Sequence, residues 1–324
     1  MRVSSAADLH MHSRASDGSD APEAFAAMAA DLGMQVFSLT DHDTVSGSAK
    51  LLDKYLQGAS DGGGGKKHYR PGKAVRLTVC GASLQSGSAG DRIIWFLPGI
   101  ELSCRVGDIL CHLLGYCYDP DSPSIARVCE ELERRRIHKM EIRIDNLKRV
   151  DGIDLTNEEK DWIFSMESPG RPHLARVLMR RGLACSVDDA FSRYLNSAHS
   201  PVPFGISRIE AAPAIEAVKD AGGIVGWAHP LGGESDRRLG PQELKERLKV
   251  LAGLGIQDLE CYYSRYSAQE ELFLANQAEK YGLLISGGSD YHGINKTVLA
   301  GQLRRDDVPV DISGLTLLQE VMDI

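Results

Sequence analysis

The stretch Leu283-Leu-Ile-Ser-Gly-Gly-Ser-Asp-Tyr-His292 begins as an apolar strand and ends in residues that can hold a metal ion. The same arrangement recurs along the chain. Gly223-Ile-Val-Gly-Trp227 leads to His229, and the apolar residues 34–37 lead to Asp41-His42-Asp43. Reactive residues at the carboxyl ends of successive strands are typical of a parallel α/β barrel whose site lies where the strands end. The sequence therefore predicts an α/β barrel with its site on that face.

Six of the ten histidines lie in short acidic clusters spread over almost the whole chain: Asp8-Leu-His10-Met-His12 followed by Asp17, Asp41-His42-Asp43, His112 with Glu101, His229, and Asp290-Tyr-His292. Neutral imidazole and carboxylate suit divalent zinc, manganese or iron. Residues at i and i+2 of a strand point to one face, so His10 and His12 are expected to converge. A single buried His–Asp pair is usually a hydrogen-bonded core pair, but repeated placement just after strands is hard to explain that way. The pattern predicts a multinuclear metallohydrolase.

Composition narrows the class of protein. The 324 residues suit one α/β barrel, with or without an insertion. No apolar run approaches the ~20 residues of a membrane span, and the N-terminus enters a ligand-bearing strand without room for a signal peptide, so a cytoplasmic location is expected. A formal net charge of −8 argues against binding to duplex nucleic acid but allows a small anionic substrate held by metal ions. The seven cysteines form no Cys-x-x-Cys pair, and we assign them no ligand role.

The pattern changes between residues 119 and 203, where it becomes purely helical. Helices are predicted near 122–150, after Pro172 and near 187–195. We expect residues 119–203 to form a helical cap subdomain inserted into a barrel built from residues 1–118 and 204–324. Within the first part, residues 58–92 are interpreted as a Gly/Lys-rich insertion. Its segment 58–73 is expected to be a surface loop that lies away from the metals, because four glycines without a preceding strand make a poor phosphate loop.

Several motifs closely resemble those of the polymerase and histidinol phosphatase (PHP) family. They are DLHMHS with Asp17, TDHDT, GIELS, HLLGY, GRPH, AHP and GGSDYH, and they cover essentially the whole chain except 58–92. Within that family the chain is most similar to the bacterial branch of nucleoside 3′,5′-bisphosphate phosphatases and 5′-to-3′ exonucleases acting on short RNAs. The helical insertion and the element Gly170-Arg-Pro-His173 point to this branch. The distance from His42 to Glu101 is longer than expected for the family, and the Gly/Lys segment accounts for it.

The resemblance implies a distorted (β/α)7 TIM-like barrel that holds two or three divalent ions (manganese, iron or zinc). By matching motifs, one ion would take His10, His12, Glu101 and Asp290, a second would share Glu101 and take His112 and His229, and a third would take Asp17, His42 and His292. The resemblance also implies a metal-dependent phosphoesterase acting on nucleoside 3′,5′-bisphosphates or AMP-like nucleotides and on short RNA from the 5′ end. Its small phosphorylated substrate would be attacked by a metal-bridging hydroxide, with Glu101, Asp290 and His292 at the catalytic centre.

Other residues receive supporting roles. Arg171 and His173 are expected to bind a substrate phosphate, since a guanidinium matches phosphate geometry. Arg265 and Tyr262 are weaker candidates for nucleotide contact. Asp41 and Asp43 are interpreted either as acceptors for ligand imidazoles or as turn caps. His68, His138 and His199 are expected to be ordinary solvated histidines, and no general acid is identified.

Three alternative functions stay open on the sequence. A histidinol-phosphate phosphatase would share the metal site, although not obviously the Gly-Arg-Pro-His element. A regulatory module could bind metal without turnover, but the complete ligand set weighs against it. A metal-dependent amidohydrolase is a third, because similar barrels cleave amides.

Overall fold

A computed structural model describes residues 5–56, 69–83, 89–166, 168–196, 199–233 and 237–322. The chain divides into two compact units. The first, called the barrel unit, comprises Met1–Cys129 and Glu210–Ile324, and the second, called the helical unit, comprises Glu130–Ile209. The sequence placed the insertion at 119–203, so the structural division begins and ends later in the chain. That residues 119–203 form a cap over the barrel stays a prediction.

The strands of the barrel unit form one curved sheet. Within the described residues they are β1 (Ala7–Asp8), β2 (Val36–Leu39), β3 (Val75–Ser83), β4 (Ala89–Val106), β5 (Ile109–Tyr116), β6 (Ile209–Glu210), β7 (Ile224–Trp227), β8 (Asp258–Tyr263) and β9 (Leu284–Gly288). Seven of them follow the order β1-β2-β4-β5-β7-β8-β9. The two ends of this row meet, because Leu9 N donates to Gly287 O at 3.1 Å and Asp290 N donates to His10 O at 2.8 Å. This nearly closed sheet confirms the predicted distorted barrel.

Within the seven-strand row, β5 departs from the parallel barrel that the sequence pattern predicted. β5 runs antiparallel to both of its neighbours, β4 and β7. Only Gly107 and Asp108 separate β4 from β5, and a two-residue connection can join only antiparallel strands. Gly107 has a φ of 57°, which a glycine adopts without strain. Because β5 is reversed, His112 near its beginning reaches the face where the parallel strands end.

Helices of the barrel unit pack against these strands. They are α1 (Phe25–Asp31), α2 (Ser46–Leu56), α7 (Ala211–Asp220), α8 (Pro241–Leu254), α9 (Ala268–Tyr281) and α10 (Thr316–Val321). Two apolar clusters hold them in place. One includes Phe25, Phe37 and Phe96, and the other includes Leu9 and Tyr116, all fully buried.

The segment predicted as the insertion 58–92 is only partly described. Residues 57–68 lie outside the described part of the chain, so the prediction that Lys66 and Lys67 stay away from the metals is not addressed there. Two stretches of it are strand, Val75–Ser83 and the residues from Ala89 onward, and β3 pairs antiparallel with β4 from Val75↔Phe96 to Ser83↔Ala89. The later half of the predicted insertion is therefore part of the sheet.

The helical unit contains α3 (Pro123–Asp151, which begins in the barrel unit), α4 (Asn157–Phe164), α5 (Arg171–Arg180), α6 (Val187–Ala190) and a π-helical turn (Phe191–Leu195). Its own apolar core includes Leu147, Ile163, Leu174, Leu178 and Leu195, all fully buried. The three helices predicted in this stretch are thereby confirmed.

Two further sequence expectations concern the whole chain. No helix among the described residues is both long enough and apolar enough to cross a membrane, while a cytoplasmic location stays a prediction. None of the seven cysteines, all of which lie in the described part of the chain, forms a disulfide.

Candidate metal centre

Nine predicted ligand residues meet on one face of the barrel. His10 and His12 follow β1, His42 follows β2, Glu101 and His112 lie on β4 and β5, His229 follows β7, Asp290 and His292 follow β9, and Asp17 lies in the loop after His12. Six of the nine are buried, and His42 and His112 are partly exposed. Asp17 is the most exposed, with about half of its side chain (52%) accessible. The strands thus deliver six imidazoles and three carboxylates from distant parts of the sequence to one place.

Glu101 lies at the centre of this cluster. Its Oε1 is 2.9 Å from His229 Nε2 and 3.0 Å from His112 Nδ1. Its Oε2 is close to three more imidazole nitrogens: 3.0 Å to His42 Nδ1, 3.2 Å to His12 Nε2 and 3.3 Å to His10 Nε2. The position suits a carboxylate that bridges two ions, with one oxygen facing each.

Asp290 and Asp17 complete the cluster on either side of His292. Asp290 Oδ1 is 3.3 Å from His12 Nε2 and 3.4 Å from His292 Nδ1. Asp17 Oδ1 is 3.1 Å from His292 Nε2, and Asp17 Oδ2 is 3.8 Å from His42 Nε2. These carboxylates therefore share imidazole neighbours instead of forming separate pairs.

Among the described residues, four overlapping groups have donor atoms within 4.8 Å of one another: His12, Asp17, His42 and His292; His10, Glu101 and His229; His10, His12 and Asp290; and His42, Glu101 and His112. They contain all nine predicted ligands. The grouping differs in detail from the expected one, since His12 also joins the group around Asp17. The division of the nine residues among three ions stays a prediction.

The donor set fits divalent cations. Four buried atoms of the cluster make no aligned hydrogen bond, although charged neighbours lie close to several of them: Glu101 Oε2, His12 Nδ1, His42 Nδ1 and His292 Nε2. His10 Nε2 and His12 Nε2 also face each other at 3.1 Å. A buried polar atom without a partner costs about 1–3 kcal/mol. Cations bound among these atoms would satisfy all of them at once.

Glu260 sets the orientation of His10 and was missed by the sequence reasoning. His10 Nδ1 is 2.9 Å from Glu260 Oε1, and both side chains are fully buried. A proton shared on that side leaves His10 Nε2 as the donor that faces the centre. The signal in the sequence was the pair Asp258 and Glu260, two carboxylates at alternate positions of an otherwise apolar strand.

Charge–charge interactions dominate protonation in the cluster. Burial by itself would lower the pKa of His42, but Glu101 and Asp17 outweigh it and raise that pKa to about 9. Burial would raise the pKa of Glu101, but His42, His112 and His10 hold it well below its usual range. Without metal His42 therefore keeps its proton at neutral pH, and that proton must leave if a cation binds there.

Backbone strain also concentrates at the site. Asp43, His229 and Asp290 have φ values of 59°, 68° and 60°. Positive φ is uncommon outside glycine and costs on the order of 1–3 kcal/mol per residue. Two of these residues are predicted ligands and the third follows one, so strain accompanies the placement of the ligands.

The two other acidic residues of the TDHDT motif accept hydrogen bonds from distant parts of the chain. Asp41 accepts from Ser13 N at 2.8 Å, from Ser13 Oγ at 2.8 Å and from Ser16 Oγ at 2.7 Å. Asp43 accepts from Ser103 N at 2.7 Å. These contacts tie the motif to the loop after β1 and to β4, and the choice between the two interpretations stays a prediction.

Asp290 has a second set of partners that the sequence reasoning also missed. Its Oδ2 accepts from Tyr263 Oη at 2.8 Å and from Lys296 Nζ at 2.8 Å.

Tyr262, which was predicted to contact a nucleotide, packs instead beside Gly287, Gly314 and an apolar cluster near the C-terminus. The geometry therefore does not support a substrate contact by Tyr262, because neighbouring strand residues face opposite sides. Arg265 is exposed just beyond β8.

Arg171 and His173 lie in the helical unit. Arg171 lies at the start of α5, with its guanidinium 4.8 Å from the centre of the Phe191 ring. The residue is exposed overall, but the protein around its guanidinium removes some water and lowers the pKa of that group. His173 Nδ1 accepts from Gly170 N at 3.0 Å, which caps the helix. The phosphate-binding role of both residues stays a prediction. Of the other histidines, His138 is exposed and His199 lies 2.8 Å from Asp151.

A nearly closed α/β barrel that gathers six imidazoles and three carboxylates on one face has the architecture of a barrel metallohydrolase. The family model of the PHP domain matches residues 8–80. The 3′,5′-nucleoside bisphosphate phosphatase of Chromobacterium violaceum is 25% identical over 287 residues, covering 88% of this chain and 86% of its own length. The 5′-3′ exoribonuclease Rnm of Escherichia coli is 26% identical over 314 residues, covering 97% of this chain and 93% of its own. This chain is thus similar to PHP-domain proteins over residues 8–80, and to a phosphatase and an exoribonuclease over most of its length.

A solved structure supports the fold. A Bifidobacterium adolescentis protein, described provisionally as a metal-dependent phosphoesterase, superimposes with a TM-score of 0.68 at 22% identity, covering 97% of this chain and all of its own. At that identity the likeness concerns the fold alone.

Proposed function

We propose that this protein hydrolyses phosphate esters of nucleotides, with nucleoside 3′,5′-bisphosphates and the 5′ ends of short RNAs as substrates, and that two or three manganese, iron or zinc ions serve the reaction. The observation that carries the proposal is the cluster around Glu101, in which four buried oxygen and nitrogen atoms make no aligned hydrogen bond. Divalent cations in such a site supply a Lewis acid for phosphoryl oxygens and an activated water. The names of the relatives in Chromobacterium violaceum and Escherichia coli support this choice of substrates.

The protein's own residues would do three things in this reaction. Glu101, Asp290 and the imidazoles would hold the cations. Glu260 would keep His10 turned toward them, and Lys296 with Tyr263 would keep one oxygen of Asp290 turned away from them. None of these assignments needs a separate general base on the protein.

A cationic cluster in the helical unit supports binding of a second phosphate. Burial and, after it, the neighbouring positive charges of Arg143, Arg208, Arg171 and Arg136 together lower the pKa of Lys139 to about 8. Arg143 is buried and donates to the backbone oxygens of Leu195 and Ser200 at 3.3 and 3.4 Å. Positive charges held so close together favour an anion between them. We therefore propose that Arg171 and His173 bind a phosphate other than the one that is hydrolysed.

The test compares a nucleoside 3′,5′-bisphosphate with the matching monophosphate, in the wild type and in Arg171→Ala. A charge-assisted contact to phosphate is worth roughly 1.5–3 kcal/mol, so the preference for the bisphosphate should fall by about one to two decades in kcat/KM. Arg134→Ala is the matched control, because Arg134 is a largely exposed arginine of the same unit (73% of its side chain). If Arg171→Ala lowers kcat/KM equally for both nucleotides, the arginine serves the reacting phosphate and the two-phosphate account is wrong.

A further inference from the structure

A cleft of about 160 Å³ opens in the barrel unit beside Asp290. One side is formed by the residues at the end of β8 and just beyond it, and the other by the segment that follows β9. Its polar lining includes Tyr263, Ser264, Arg265, Asp290, Lys296 and Thr297. The predicted metal centre and this cleft thus share one residue, Asp290.

Asp290 lies between the predicted metal centre and the cleft, and one of its carboxylate oxygens faces each of them. Its Oδ1 lies among the imidazoles, 3.3 Å from His12 Nε2. Its Oδ2 lies on the side of the cleft, where it accepts from Tyr263 and Lys296. A group bound in the cleft would therefore be separated from the predicted metal centre only by the carboxylate of Asp290.

The charge of the cleft favours an anion. Its lining carries two cations, Arg265 and Lys296, against one carboxylate, Asp290, which leaves a net charge of +1. Lys296 is mostly buried (22% of its side chain is exposed) and held by Asp290, whereas Arg265 is exposed at the mouth. Ser264 and Thr297 add hydroxyl groups that can donate to oxygen. An exposed guanidinium beside a fixed ammonium suits a phosphoryl group, which an arginine can bind through two parallel hydrogen bonds.

We propose that this cleft binds a non-reacting phosphoryl group of the substrate, with Arg265 and Lys296 as its cationic contacts. The inference rests on the proposed function, because it treats the adjacent cluster as the reacting centre. It differs from the role proposed for Arg171, which lies in the helical unit. A barrel subsite of this kind selects nucleotides that carry another phosphate, or the next phosphodiester of a short RNA, close to the one that is hydrolysed.

Binding of inorganic phosphate to the metal-loaded protein tests the subsite directly. Calorimetric titrations are compared for Arg171→Ala, which removes a contact of the helical unit, and for the double variant Arg171→Ala/Arg265→Gln. We expect one phosphate site to weaken about ten- to hundredfold in Kd when Arg265 is replaced, and Arg265→Lys to restore part of it. Arg305→Gln is the matched control, since Arg305 is exposed nearby but does not line the cleft. Identical titrations with and without Arg265→Gln would overturn the proposal.

A kinetic comparison separates this subsite from the reacting centre. Arg265→Gln should raise KM about tenfold or more for a 5′-phosphorylated dinucleotide while leaving KM for a small chromogenic phosphate close to the wild-type value. An equal rise for both substrates would contradict the proposal. If the wild type hydrolyses no phosphate ester but still binds phosphate through Arg265, the proposed function fails and the subsite stands. If it hydrolyses nucleotides and Arg265 affects neither binding nor KM, the subsite alone fails.

Discussion

Single side chains determine how the site is organised. Glu101 is fully buried in a core that would ordinarily exclude a carboxylate, and five imidazole nitrogens within 3.3 Å of its oxygens compensate for that burial. Glu260 and Lys296 act indirectly. Glu260 contacts His10 and Lys296 contacts Asp290, and neither is itself a predicted ligand. Removal of one ligand is therefore expected to disturb several neighbours.

Asp290→Ala and His10→Ala should each abolish phosphate release while leaving the fold largely intact, because loss of a ligand empties or misplaces a cation. The measurement is phosphate release from a nucleotide with manganese present, together with circular dichroism to confirm folding. His138→Ala is the control, since His138 is exposed on α3. Near-normal turnover in either ligand variant would show that the ligand was wrongly assigned.

At the scale of elements, the seam between β9 and β1 closes the barrel and places His10. Gly288 lies against His10 so closely that an added Cβ would overlap the Cβ and backbone of that histidine. The seam also carries the hydrogen bond from Asp290 N to His10 O at 2.8 Å. Closure of the barrel and positioning of the ligands therefore depend on the same few atoms.

Gly288→Ala should lower the free energy of unfolding by about 1–3 kcal/mol, because the overlap forces the two strands apart. It should also reduce the amount of bound metal, since His10 moves with the seam. The matched control is Gly253→Ala in α8, where an added Cβ meets nothing within 4 Å and alanine should stabilise the helix by up to about 1 kcal/mol. Urea unfolding and metal analysis of both variants check the prediction, which equal stability and metal content in Gly288→Ala and the wild type would contradict.

The helical unit contains a lysine whose charge opposes folding. The pKa of Lys139 falls from 10.5 to about 8, because burial disfavours the ammonium and four arginines repel it. Between about pH 8 and 10.5 the unfolded chain therefore binds more protons than the folded one, so this group makes stability rise with pH over that window and is fully destabilising below it.

Lys139→Met should stabilise the protein at pH 7 by on the order of 1–3 kcal/mol and flatten the rise in stability between pH 8 and 10.5. The free energy of unfolding in urea, measured at pH 7 and pH 10, tests both effects. Lys249→Met, on an exposed face of α8, serves as the control and should change little. A variant that is less stable than the wild type at pH 7 and keeps the same pH slope would refute this account.

For the whole molecule, metal binding and the stability of the barrel unit are expected to be coupled. The ligands come from six strands or the loops after them, and a cation that binds only the folded arrangement stabilises it by about 2.7 kcal/mol at a free concentration of 100 Kd. We expect two or three equivalents of divalent metal per chain after supplementation with manganese or iron, and a lower unfolding temperature after chelation. The helical unit has its own apolar core and no predicted ligand, so exchange of its amide hydrogens should respond less to chelation.

Metal analysis and thermal unfolding with and without EDTA check this expectation. His10→Ala should show a smaller effect of EDTA than the wild type. Less than one equivalent of metal after supplementation would rule out the multinuclear site, and an unchanged unfolding temperature would rule out the coupling.

The sequence by itself determined which residues carry the chemistry and roughly where the strands and helices fall. Local rules account for the clusters, because strands alternate their faces and a residue after a strand lies at its carboxyl end, whereas the set of nine ligands came from the resemblance of the motifs to those of a known family. The helical stretch between residues 122 and 195 was likewise visible in its periodicity.

Only the tertiary structure decided how those residues meet. It reversed β5, turned Tyr263 and not Tyr262 toward Asp290, and brought Glu260 and Lys296 to ligands that lie 250 and six residues away along the chain. Such contacts depend on strand direction, on which face of a strand is buried and on closure of the barrel seam. These are set by packing between distant segments, because no local pattern specifies which buried carboxylate will lie beside which imidazole.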